Sequence, residues 1–231
     1  MAKKANPTIE TLLDAALDHV AFDGWSQATL SAAATDLGIS DAQAKLLAPR
    51  GAVDLALAYH RRGDRAMLDR LKKTDLANLR FREKVATALR FRVEEMGDRE
   101  AVRRASALFS LPIHAAEGAR LIWETADHIW TALGDTSKDM NWYTKRATLS
   151  AVWASTVLYW LGDNSQGHAD TMAFIDRRIE DVMRFEKVKG QLRENPLTKP
   201  FMALQENLFK KIRMPDNDRF KDLPGRWQGP R

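Results

Sequence analysis

An all-α protein of about nine or ten helices is what this sequence predicts, and three observations carry that reading. Apolar residues recur at three- and four-residue spacing along most of the chain, the period of a helix face, and no convincing run alternates as a half-buried strand does. Capping residues, glycines and prolines break that pattern at helix-length intervals. At 231 residues, with 45% hydrophobic and 29% charged side chains, the chain can bury a full core without covalent staples.

Taken in order, Thr8 or Asn6 caps a first helix carrying Ile9, Leu12, Leu13, Ala16, Val20 and Phe22, which Gly24 stops. Residues 26–37 form a second helix ended by Gly38, and 41–47 a short third that ends near Pro49. A fourth runs from Gly51 to about Leu71. Further helices read at 78–96, 99–110, 113–133, 141–161 and 168–186, punctuated by Pro112, Gly134 and a 162–167 loop. After Gly190 the composition shifts: 191–199 reads as a polar linker, 200–213 as a last helix, and 215–231 as a disordered tail. The expected units are therefore 1–50, 51–190 and 191–231.

There are no cysteines, which excludes a disulfide framework and thiolate chemistry. No run approaches the roughly 20 apolar residues that span a bilayer, and the start shows no apolar signal core. The net charge of +5 is unevenly placed: −2 over 1–50, +7 over 61–92, −5 over 93–183 and +6 over 184–231. The five histidines, His19, His60, His114, His128 and His168, form no metal-binding spacing; Glu124 and His128, four apart, suit a local salt bridge. Nucleophile elbows and phosphate-cradling glycine loops are absent too. Carboxylates such as Glu94, Glu95, Asp176, Glu180 and Asp181 sit at the spacing of solvated helix faces. The expectation is a protein without catalytic site, metal or cofactor.

Gly24-Trp25, Ala28-Thr29-Leu30 and Leu37-Gly38-Ile39-Ser40, at these spacings, resemble the N-terminal helix-turn-helix unit of TetR-type regulators. The resemblance implies a TetR-like fold: a three-helix unit followed by a C-terminal ligand-binding helical bundle. The would-be recognition helix opens with Asp41 and carries only Gln43 and Lys45 as base-reading candidates. A unit of net −2 would be repelled by DNA phosphates, so no nucleic-acid partner is expected.

Residues 134–163 hold three of the seven tryptophans. Trp142, Leu149, Trp153, Thr156 and Trp160 fall near one helix face, with Tyr143 towards its edge or beyond it. An aromatic pair beside Asp139, Asn141, Lys145 and Arg146 reads either as a docking surface or as a helix start stapled to a core. In 113–133, Leu121, Ile122, Ala126, Ile129, Trp130 and Leu133 recur at helical spacing, with Trp123 alongside. Ala115, Ala116, Gly118, Ala119, Ala147, Ala151 and Ala154 are interleaved. Large rings beside small residues leave either an interhelical cleft or an ordinary close-packed core. The candidate cleft lining is Ile122, Trp123, Ala126, Trp130, Trp153, Val157 and Trp160.

The 200–213 helix is amphipathic and basic: Phe201, Leu204, Leu208, Phe209 and Ile212 form its apolar stripe, and Lys210, Lys211 and Arg213 supply charge. Each large side chain contributes ~1.5–3 kcal/mol when fully buried, and each cation near an anionic surface ~1 kcal/mol. Partial insertion gives reversible membrane association, and folding back onto the domain is the alternative.

Gly134-Asp135, Ser137, Asp139, the run Asn141-Trp142-Tyr143-Thr144-Lys145-Arg146, Trp160, and Phe174-Ile175-Asp176-Arg177-Arg178-Ile179 together are similar to one family, with Ser110-Leu111-Pro112 and Trp130 in agreement. It is the family of accessory lipid-binding proteins of ubiquinone biosynthesis, the ninth in the Coq series. The resemblance extends over most of 8–186. It implies a homodimer that no longer binds DNA and holds an isoprenoid lipid or ubiquinone intermediate between C-terminal helices. It further implies a membrane-engaging C-terminal helix and, as partner, the di-iron demethoxyubiquinone hydroxylase or an equivalent hydroxylase. The partner patch maps onto Asp127, Ile129, Trp142 and Tyr143, with Ile129 where a larger apolar residue is expected. Without a targeting segment, the expected location is cytoplasmic, peripheral on a bacterial inner membrane. The alternative is a TetR-type ligand-responsive transcriptional regulator using the same cleft for an effector.

Overall fold

A computed structural model describes residues 7–138 and 140–194, with side chains described through Arg184. Among the described residues there are nine α-helices and no strand. They are α1 (Ile9–Asp23), α2 (Gln27–Asp36), α3 (Asp41–Leu47), α4 (Ala52–Lys73), α5 (Phe81–Glu94), α6 (Arg99–Ser110), α7 (Ala115–Ala132), α8 (Met140–Gly162) and α9 (Ala169–Glu194).

Local chemistry sets these boundaries. Thr8, Ser26, Ser40 and Asp98 cap α1, α2, α3 and α6, each side chain accepting from a backbone N–H in the first turn. Gly24 ends α1 at φ 65°, where only glycine sits without strain. One difference from expectation lies in α9, which runs past Gly190 to Glu194. A glycine inside a helix costs only about 1 kcal/mol, which a long helix tolerates.

Two cores share one long helix. Leu12, Leu13, Ala16 and Val20 of α1 meet Leu30, Ala33 and Ala34 of α2 and Leu55 and Ala56 of α4. Met67 and Leu71, farther along α4, join Leu89 and Val93 of α5, Ala126 and Ile129 of α7, Trp153 of α8 and Ile175 of α9. The N-terminal unit is tied to the body by more than apolar contact. The Trp25 indole N–H donates to the Ala101 carbonyl at 3.0 Å, and Arg104 donates to the Ala21 carbonyl at 3.2 Å. Arg62 pairs with Glu10 and Asp14, and Arg65 also pairs with Glu10.

Candidate functional site

A cavity of about 270 Å³ lies inside the ring formed by α4, α5, α6, α7 and α8. Its apolar wall includes Phe109, Leu121, Ile122, Trp153 and Val157. Gly118 brings α7 close to α6: a Cβ there would stand 2.8 Å from the Phe109 Cβ and 3.0 Å from its carbonyl oxygen. The small residues Ala56, Ala105 and Ala154 line the same space, as expected where helices separate slightly.

The polar floor comes from α4 and α5, whose contribution sequence reasoning missed. The Arg92 side chain is 5% exposed and that of Asp64 1%; their Nε and Oδ1 lie 2.6 Å apart. Arg92 also donates to the His60 carbonyl at 3.0 Å, and its guanidinium lies 5.1 Å from the Trp153 ring centroid. The Thr125 hydroxyl is 3.0 Å from Asp64 Oδ1 and 2.9 Å from His60 Nε2. His128 Nδ1 approaches Asp64 Oδ2 at 3.2 Å. Burial alone would raise the Asp64 carboxyl, but the His128 hydrogen bond and the Arg92 charge and hydrogen bond prevail and hold it at about 2. Burial, reinforced by Arg92, lowers His60 to about 4. His128 is raised, chiefly by its hydrogen bond to Asp64. The expected Glu124–His128 pair does not form; Glu124 takes Arg61 and Arg120 instead. Burial pushes the Tyr59 hydroxyl up to about 12, and that hydroxyl donates to the Met96 carbonyl.

A second constellation lies where α7 meets α8. Gly134, at φ 79°, ends α7 and turns the chain so that Asp135 comes under the start of α8. Asp135 accepts from Lys145 Nζ at 2.7 Å, from the Ser137 hydroxyl at 2.8 Å and from Arg146 Nη1 at 3.0 Å. Burial opposes ionisation, yet these donors hold the carboxyl well below the usual range. Arg146 Nε donates to Asp127 at 2.5 Å. Around it the rings assemble: Trp142 lies 4.8 Å from Tyr143 edge-on and 5.9 Å from Trp123. Trp142 and Tyr143 are both half-buried.

Ile122, Trp153 and Val157 of the expected cleft lining do line the cavity. The other four do not. Ala126 and Trp160 pack into the second core, because they face inward between helices. Trp123 turns toward Trp142 instead. Trp130 donates its N–H to the Lys145 carbonyl at 3.1 Å and stacks on Phe81, lining a separate apolar groove of about 220 Å³ with Leu149, Val152 and Met183. Of the expected partner patch, Asp127, Trp142 and Tyr143 converge, but Ile129 is 0% exposed. It sits one helical face inward from Asp127 and supports the surface from within. Arg146 was missed as the joint of this patch, although its place four residues after Trp142 signalled it.

The expected membrane segment, with Phe201, Leu204, Leu208, Phe209, Lys210, Lys211 and Ile212, lies outside the described residues. Among the described residues, no helix is long and apolar enough to cross a membrane, and no group of three or more His, Cys, Asp or Glu could hold a metal ion. α3 presents Asp41, Gln43, Lys45 and an 81% exposed Leu46.

A three-helix N-terminal unit and a helical body with a half-open cavity make up a TetR-like fold. The crystal structure of the TetR transcriptional regulator from Nitrosomonas europaea ATCC 19718 superposes with a TM-score of 0.63 at 19% identity, covering 74% of this chain and 95% of that one. That likeness shows the fold. Residues 115–186, which contain the Asp127–Arg146 constellation, match the COQ9 family model. The chain is 28% identical over 192 residues to the probable mitochondrial ubiquinone biosynthesis protein coq9 of Dictyostelium discoideum, covering 79% of this chain and 62% of that protein. It is 29% identical over 193 residues to mitochondrial ubiquinone biosynthesis protein COQ9 of Homo sapiens, covering 79% and 59%. The chain is thus similar to the COQ9 proteins and spans about three fifths of the length of these curated relatives.

Proposed function

We propose that this protein is a non-catalytic lipid carrier of ubiquinone biosynthesis. It holds an isoprenoid or quinone intermediate between α4 and α8 and presents it to the demethoxyubiquinone hydroxylase, or an equivalent hydroxylase, at a membrane. The observation that carries this reading is the cavity itself: a largely apolar space with few polar groups, inside a chain related to proteins named for ubiquinone biosynthesis. Asp127, Arg146, Trp142 and Tyr143 offer a rigid, partly apolar surface near α7 and α8, two of the helices that wall the cavity, which suits handing a ligand to an enzyme. The 200–213 segment supplies reversible membrane contact through its basic amphipathic pattern. In this reading the protein acts as a homodimer on the cytoplasmic face of a bacterial inner membrane.

A ligand-responsive transcription regulator has less support. The exposed side of α3 offers one lysine, one carboxylate and a leucine, a poor match for a polyanion.

Mass spectrometry of an organic extract of the protein, purified without detergent from a ubiquinone-making bacterium, tests the reading. Stoichiometric recovery of a quinone intermediate or another isoprenoid is the expected result. A folded protein whose extract contains no lipid would leave the cavity as a packing defect and favour a scaffold for the hydroxylase.

A further inference from the structure

We propose that the cavity sorts its ligands by charge: it accepts the ring of a neutral, oxygen-bearing amphiphile and excludes the same amphiphile carrying a carboxylate, with Arg92 and Glu95 setting the choice. This rests on the reading of the cavity as a lipid site and adds what distinguishes one ligand from another.

Arg92, His60 and Glu95 line one end of the cavity. At first sight a buried guanidinium is an anion receptor. Arg92, however, is already matched: Asp64, itself 1% exposed, lies 2.6 Å from its Nε, and Asp64 is ionised at any neutral pH. His60 is neutral there and brings no positive charge. Glu95 faces the same space, and its partner Arg70, at 3.1 Å, is shared with Glu94. His128 engages Asp64 without lining the cavity. Each guanidinium at this end is therefore already matched by a carboxylate, Arg92 by Asp64 and Arg70 by Glu95.

A ligand carboxylate entering here would lose its water and find no uncompensated cation, a costly burial. A carbonyl or hydroxyl oxygen needs only a donor. Arg92 uses Nε on Asp64 and Nη2 on the His60 carbonyl; Nη1 takes part in neither bond. The Ser106 hydroxyl lines the same cavity. Arg92 cannot swing away, because its guanidinium is packed between the Trp153 ring and Gly63, where even a Cβ would come within 2.5 Å of Nη1. The Arg92 guanidinium and the Ser106 hydroxyl are the donors that the lining offers to such an oxygen. The volume of about 270 Å³ matches a substituted ring with a short stretch of tail.

The test titrates the full-length protein, stripped of bound lipid, by calorimetry at pH 7.5 with three probes sharing one short prenyl tail. The first is a benzoquinone, the second a 4-hydroxybenzoate, and the third the tail as a plain hydrocarbon. The quinone should bind at least tenfold more tightly than the hydroxybenzoate. Glu95→Gln should raise hydroxybenzoate affinity several-fold. The paired change Asp64→Asn with Arg92→Gln, checked for native helicity, should lower quinone affinity at least tenfold relative to the hydrocarbon. Equal or tighter binding of the hydroxybenzoate overturns the proposal, and so does a preference that neither variant alters. If all three bind alike, sorting fails while the lipid site stands; if none binds, the lipid reading fails and takes this inference with it.

Discussion

The Arg146 guanidinium lies over the Trp142 ring, 4.1 Å from its centroid, while its nitrogens bind Asp127 and Asp135. A surface ring is thereby locked to two carboxylates on the preceding helix and loop. The geometry holds the aromatic patch rigid before any partner arrives.

On the proposed docking role, Trp142→Ala and Tyr143→Ala should each weaken binding to the hydroxylase by tenfold or more. Both rings are half-buried at the rim of α8, so helical content should stay near that of the parent. Surface plasmon resonance with circular dichroism as control separates the two effects, and a loss of helicity would return the pair to a core role.

Arg146→Met should be more damaging to stability than either ring change. It leaves the 2% exposed Asp135 carboxylate facing Lys145 as its remaining cation and frees Asp127. With Lys145 still paired to Asp135, losing the Arg146 hydrogen bonds costs roughly 1–3 kcal/mol. Urea denaturation reads this directly.

Gly63→Ala should cost about 1–3 kcal/mol, although alanine is the better helix former. The added Cβ would stand 2.5 Å from Arg92 Nη1 and 2.6 Å from its Cζ, so the guanidinium must leave Asp64 or the helices must part. A stabilised variant would show that Arg92 has room to move.

His60 makes the fold sensitive to mild acid. Its value is lowered from 6.5 to about 4 in the folded protein, so the unfolded chain binds the proton first. Stability is complete above the unfolded value and falls as the pH drops from 6.5 toward 4, by roughly 3 kcal/mol for a shift of this size. His128 works the other way: its raised value adds stability below the unfolded value, lost as pH rises through the folded one. His60→Gln should flatten the decline between pH 6.5 and 4 in thermal melts.

Deleting residues 200–231 should reduce co-flotation with anionic liposomes while leaving the melting of the helical body unchanged. Undiminished flotation would place membrane contact elsewhere on the chain.

Most of the fold was legible because its signals are local. Thr8, Ser26, Ser40, Gly24 and Gly134 mark helix ends by the chemistry of a single turn. The site was legible only in part. Periodicity gives the inward face of a helix but not the neighbour it meets, so Ile122 and Trp153 reached the cavity while Trp130 and Trp123, equally aromatic, faced other spaces. The polar floor escaped altogether: Asp64 and Arg92 are 28 positions apart in the chain, and Asp64 and Thr125 61. Within the basic 61–92 stretch nothing singles out Asp64 or Arg92, since sequence does not reveal which arginine is turned inward.

The bond from the Trp25 indole to the Ala101 carbonyl has a consequence for signalling. A regulator transmits ligand occupancy by letting its reading head pivot against its sensor. Here Trp25, Arg104, Arg62 and Arg65 rivet the head to α4 and α6. The head is thereby made to move with α4 and α6, two of the helices that wall the cavity, and has no independent hinge on which to turn.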